Sequence, residues 1–168
     1  ISSKSFSMFA VYLTFIILLS GIDKENRKID KAVNIYGIVI AIIYMVYLCI
    51  VEKANIYRYG IYLMCYIIML TFDTITLKKY AKSTYVNGII ISIITMIVFT
   101  GEYVTANAII LTLLTIAIYL LLYKLKNIKN RNRKSDKQIS KQLSIGFYLG
   151  VSNILTVILA LFFNHSIL

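Results

Sequence analysis

The chain has 168 residues, 60% of them hydrophobic and 15% charged, with a mean hydropathy of +0.80 and a net charge of +11. An ordinary soluble domain is about 45–50% apolar and about 25% charged, and a fold of this size cannot hide so much apolar surface from water. The composition therefore excludes a soluble enzyme, a secreted disulfide scaffold and a disordered tail, and points to a bilayer as the solvent.

Charged residues divide the sequence into apolar runs of about the 17–25 residues that a membrane helix needs. Taken in order, the runs predict helices over about 5–22, 33–51, 56–75, 85–101, 104–123 and 143–163. The third is short: its charge-free core is 59–72, so it reaches span length by snorkelling of Arg58 or by continuing past Asp73. The expectation is a single all-α domain over residues 1–168, a polytopic membrane protein of six transmembrane helices.

Orientation follows from Lys and Arg in the short loops. The segments 23–31, 73–82 and 124–141 hold fifteen basic residues, against Lys4, Lys53 and Arg58 on the other side. This asymmetry puts the three basic loops in the cytoplasm and both termini outside, in the plasma membrane of the cell. The run KLKNIKNRNRKSDKQISKQ (124–142) reads as a topology signal with attraction to anionic lipid. No aromatics interleave it to stack bases, and no glycine-rich phosphate loop occurs, so no nucleic-acid partner is expected.

Among the seven acids, Glu52 and Glu102 fall in outer loops, Asp136 lies in the basic loop, and Glu25 and Asp30 share a short loop with four basic residues. Asp23 and Asp73 differ. Each directly follows an apolar run at the cytoplasmic end of a predicted helix, the first and the third. An ionisable group at that depth is costly and is a functional candidate by default. Two carboxylates at one depth can share a proton, because adjacent like charges resist double ionisation. One then serves as general base toward a water and the other as general acid toward a carbonyl oxygen, which is the chemistry of aspartic proteolysis. Asp23 and Asp73 are therefore the catalytic candidates, and no metal or cofactor is called for.

Three segments carry a resemblance to the type IV prepilin peptidases. LLSGIDKENRKIDK (18–31) resembles the first aspartate motif of that family, where an aspartate closes a helix and a basic stretch leads to Ile-Pro-Asp/Asn. Asp23 takes the aspartate position and Ile29 the isoleucine, with Asp30 at the proline position. LTFDTITLKK (70–79) is similar to the second motif, Gly-x-Gly-Asp-x-Lys-Leu, with Asp73 on its aspartate and Ile75 at its lysine. LSIGFYLG (143–150) resembles the late Ile-Pro-Phe-Gly-Pro-Phe-Leu signature, matching at Leu143, Gly146, Tyr148 and Leu149, with Ser144 and Phe147 at the proline positions. The plan is closest to short six-span members, such as those serving tight-adherence pili and the archaeal preflagellin peptidases. The cytoplasmic methyltransferase lobe of longer members has no counterpart here. The resemblance implies a prepilin-like membrane substrate with a short basic leader, a cleavage-site glycine and a hydrophobic helix. Two other functions stay open: an inactive relative acting as a membrane scaffold or assembly partner for pili or secretion, and a small six-helix transporter.

Lesser features take structural readings. Gly146 with Gly150, and Gly88 with Ser92, are small-xxx-small pairs of the kind that marks close helix packing. Tyrosines near the helix ends, Tyr85 among them, read as interface anchors. Asn87, Asn107 and Asn153 read as interhelical hydrogen-bonding groups. Cys49, Cys65 and His165 form no arrangement that would activate a thiol.

Overall fold

The computed structural model describes residues 3–26, 28–51, 56–76, 81–130 and 144–165, with side chains described except at 3–6, 73–76, 81–84, 126–130 and 164–165. Among these residues the chain is all-helical: α1 (Ser3–Asn26), α2 (Lys31–Val51), α3 (Ile56–Thr76), α4 (Ala81–Thr100), α5 (Glu102–Asn130) and α6 (Ile145–His165). Four helices are long and apolar enough to cross a membrane, over Ser7–Asn26, Lys31–Val51, Glu102–Leu125 and Ile145–Phe163. The described apolar stretches of α3 and α4, Ile56–Phe72 and Tyr85–Thr100, are shorter.

The helices outrun the apolar segments that predict them. A backbone already in helical register gains one hydrogen bond per added residue, so it does not stop where the side chains turn polar. α1 therefore continues to Asn26, which sets Asp23 inside the last turn rather than at the helix end. α5 likewise runs through Lys124 to Asn130. α6 starts at Ile145, two residues later than the apolar run suggests, with Ser144 at the N-cap position and its carbonyl accepting from Tyr148 N–H at 3.4 Å. Asp30 occupies the same position before α2, its carbonyl accepting from the Val33 and Asn34 amides at 3.0 and 3.2 Å.

Between α4 and α5 the turn is a single residue. Gly101 adopts φ +83°, the left-handed conformation that ends a helix, and its amide donates to Ile97 O at 2.9 Å. The next helix starts at once, with Thr105 N–H returning to Gly101 O at 3.2 Å.

α4 is the hub, packing on α2, α3, α5 and α6, while α1 lies chiefly against α6 and α2. Two apolar clusters result. Tyr12, Phe15, Ile16 and Leu19 of α1 meet Val33 and Ile40 of α2, Met96 of α4 and Leu149 of α6. Ile38, Ala41 and Met45 of α2 meet Tyr66 of α3 and Ile91, Ile94 and Val98 of α4. The Phe99 ring joins them, stacked on Tyr12 at 4.7 Å and on Tyr44 at 4.5 Å between centroids.

The glycines of the small-residue pairs at 88 and 150 lie at close helix contacts. A Cβ at position 150 would run into Ser20 Oγ of α1, and one at 88 would lie 3.0 Å from Ile29 Cβ and 3.1 Å from Asn34 Nδ2. Buried hydroxyls bond back to their own helix, as Ser92 does to Gly88 O (2.8 Å), Thr95 to Ile91 O (2.9 Å) and Thr112 to Ala108 O (2.7 Å). This satisfies the hydroxyl without water, as an apolar environment demands. Across helices, Tyr12 O–H donates to Asn153 Oδ1 at 2.6 Å, the interhelical role expected of that asparagine. Asn107, by contrast, is exposed on α5.

Candidate functional site

Tyr12, Ile16, Leu19 and Asp23 recur at helical spacing along one face of α1, and all four are buried. Asp23 thus continues an inward-facing apolar stripe by one more turn. Its neighbours Lys24, Glu25 and Asn26 are exposed, whereas Asp23 is 0% exposed.

Two helices close around its carboxylate. From α6, Phe147 N–H donates to Asp23 Oδ2 at 3.1 Å. From α4, Tyr85 O–H donates to the same oxygen at 3.1 Å. Ile145 N–H in turn donates to Tyr85 Oη at 2.9 Å, so α4 and α6 are tied to each other as well as to α1. The first amides of a helix lack intrahelical acceptors, and the positive end of the helix dipole favours an anion there. Asp23 meets both needs of α6 from 124 residues away in the chain.

This approach depends on Gly146. A Cβ at that position would lie 3.0 Å from Asp23 Oδ2, 3.2 Å from Cγ and 3.3 Å from Cβ. Beside it, Lys24 Nζ stands 5.0 Å from the centre of the Phe147 ring, covering the turn from the exposed side. The other carboxylate oxygen, Asp23 Oδ1, is buried and has no hydrogen-bond partner among the described residues. Asn34 Oδ1, in the first turn of α2 at the same end of the bundle, is also buried and unpartnered there.

Asp73 falls in the last turn of α3, and its side chain lies outside the described residues. Its helix packs on α4 and α2, and among the described residues α1 and α3 share no extended interface. The two aspartate-bearing helices instead sit in different apolar clusters, with the α2–α4 pair common to both.

Tyr85 is the residue that the sequence reading misplaces. It holds a buried carboxylate rather than serving simply as an interface anchor. Its signal is weak because a tyrosine near a helix end is ordinary in membrane proteins. The inward aim of Asp23 has no sequence signal either, because α1 is apolar all round: Ile16 and Leu19 are buried while Ile17 and Leu18 are exposed. Among the described residues no three His, Cys, Asp or Glu side chains converge to hold a metal ion. Cys49 and Cys65 are both free thiols and partly buried.

Comparison with protein-family models, with characterised proteins and with solved structures yields no match to this chain.

Proposed function

We propose that the chain is a six-span aspartic peptidase of the prepilin-peptidase type, with both termini outside and its site at the cytoplasmic boundary of the plasma membrane. The observation that carries this reading is the meeting of two segments that resemble the family independently. Asp23 of the first and Ile145–Gly146–Phe147 of the third are brought together, with Oδ2 on the Phe147 amide. A buried carboxylate finds donors in any fold; what supports the reading is that one donor lies in the segment that resembles the family's late signature.

In this reading Asp23 works with Asp73. One carboxylate takes a proton from water as the water oxygen bonds to the scissile carbonyl carbon. The other gives its proton to the carbonyl oxygen. The resulting gem-diol then collapses: the C–N bond breaks, the nitrogen takes up a proton, and the carbonyl reforms on the new acid. One water is consumed and no metal takes part. The substrate is a prepilin-like chain whose hydrophobic helix lies in the bilayer beside the peptidase and whose basic leader ends at the boundary. The enclosed Oδ1 of Asp23 requires that side chains over it withdraw when the substrate enters.

The test is co-expression of the full chain with a reporter bearing a short basic leader, a cleavage-site glycine and a hydrophobic helix. Wild type is expected to shorten the reporter and Asp23→Asn to leave it intact, with equal amounts of both proteins in the membrane. An uncut reporter with wild type overturns the reading.

A second reading has its own observation. Asp23 is wholly enclosed and joins three helices, as a structural latch does. In that case the chain is an inactive relative that serves as a membrane scaffold, and Asp23→Asn alters its stability rather than any cleavage.

A further inference from the structure

Tyr85 stands between two partners whose roles are fixed by chemistry. Ile145 N–H can only donate, so the Tyr85 oxygen is the acceptor of that bond. The single hydroxyl hydrogen is then left for Asp23 Oδ2, 3.1 Å away. Phe147 N–H, likewise only a donor, points at the same oxygen at 3.1 Å. A carboxylate oxygen has two in-plane lone pairs, and on Oδ2 both are taken by donors. Oδ1 has no partner among the described residues and is buried. Among the described residues, Oδ1 is therefore the oxygen left open to a proton.

We infer that Tyr85 is a positioning residue for Asp23: with the Phe147 amide it occupies Oδ2 and makes Oδ1 the oxygen that takes and gives the proton. The inference rests on the peptidase reading for its consequence in catalysis, and on the hydrogen-bond geometry for the assignment of the two oxygens. Tyr85 touches neither water nor substrate in this scheme. It acts by fixing the carboxylate plane, so that Oδ1 keeps one direction while the reaction proceeds. Gly146 belongs to the same device, since a Cβ there would lie 3.0 Å from Oδ2 and crowd the carboxylate against the Phe147 amide.

The experiment uses the full chain in lipid vesicles with the leader-bearing reporter. Tyr85→Phe removes one oxygen and keeps the ring. The expected result is a kcat lowered about tenfold to hundredfold, the scale of a misplaced catalytic group, with KM within about twofold of wild type because ground-state binding is untouched. An unchanged kcat overturns the inference and leaves the peptidase reading standing, provided that Asp23→Asn still abolishes cleavage. Infrared spectra of the same vesicles give a readout that does not need turnover. The carboxyl bands that vanish in Asp23→Asn are expected to shift in Tyr85→Phe. They should shift the opposite way with 3-fluorotyrosine at position 85, which is the stronger donor. Bands that stay in place in both variants overturn the inference. If wild type does not cut the reporter, the peptidase reading falls, and the infrared shift alone decides whether Tyr85 holds Oδ2.

Discussion

At one end of the bundle Asp23 is sealed between α1, α4 and α6, with two donors on one oxygen and, among the described residues, none on the other. At the opposite end Arg58 of α3 and Tyr62 of α3 both reach Glu102 at the start of α5, at 2.8 Å each, with the Arg58 and Glu102 side chains 53% and 59% exposed. On paper the second cluster is the stronger, since it pairs full opposite charges. Exposed ion pairs nevertheless contribute little, because water and salt already solvate both partners. The sealed carboxylate has no such alternative, and losing a partner leaves it with the full cost of desolvation. Location, rather than charge, separates the group that shapes the protein from the group that decorates it.

The sharpest way to break this contrast is to press on the sealed end. Gly146→Ala puts a methyl group 3.0 Å from Asp23 Oδ2, an overpacking that costs about 1–3 kcal/mol. A clear fall in the thermal midpoint of the detergent-solubilised protein is expected, together with loss of reporter cleavage. Gly21→Ala is the control from the same turn of α1: nothing lies within 4 Å of its added Cβ, and the midpoint should hold or rise. Equal effects of the two substitutions would show that the α6 amides are not in close contact with Asp23.

A smaller effect is expected in the middle of the bundle. Tyr12→Phe removes the donor to Asn153 Oδ1, and interhelical hydrogen bonds of this kind are worth about 0.6 kcal/mol on average in membrane proteins. Unfolding in graded denaturant should show a modest loss with cleavage retained. The smallest effect belongs to the exposed end. Glu102→Gln should leave both the thermal midpoint and cleavage unchanged within error, and a marked loss there would reverse the comparison.

Much of this arrangement was legible from residue order. The apolar runs gave the helices to within a few residues except at the end of α5, which runs on from 123 to Asn130, and the small pairs at 88 and 146–150 marked the close approaches of α4 to α2 and of α6 to α1. Which face of α1 turns inward was not legible, because Ile17 and Leu18, as apolar as the buried Ile16 and Leu19, are exposed. Nor were the donors on Asp23, because one is a backbone amide, which carries no residue signature, and the other is a tyrosine in a place where tyrosines are common. Partnership across 62 and 124 residues is a property of helix packing. Chain position put Asp23 and Asp73 at the same end of two helices that run the same way; in the fold α2 packs on both helices, and among the described residues α1 and α3 share no extended interface.

The most direct measurement is therefore the rate of leader cleavage by Asp23→Asn, Asp73→Asn and the double variant, at matched levels in membranes. Asparagine keeps the shape of aspartate but cannot exchange a proton at neutral pH. Residues that act as a unit are not additive in their effects, so each single variant is expected to be as inactive as the double. Full processing by Asp73→Asn would contradict a shared dyad and remove that residue from the mechanism.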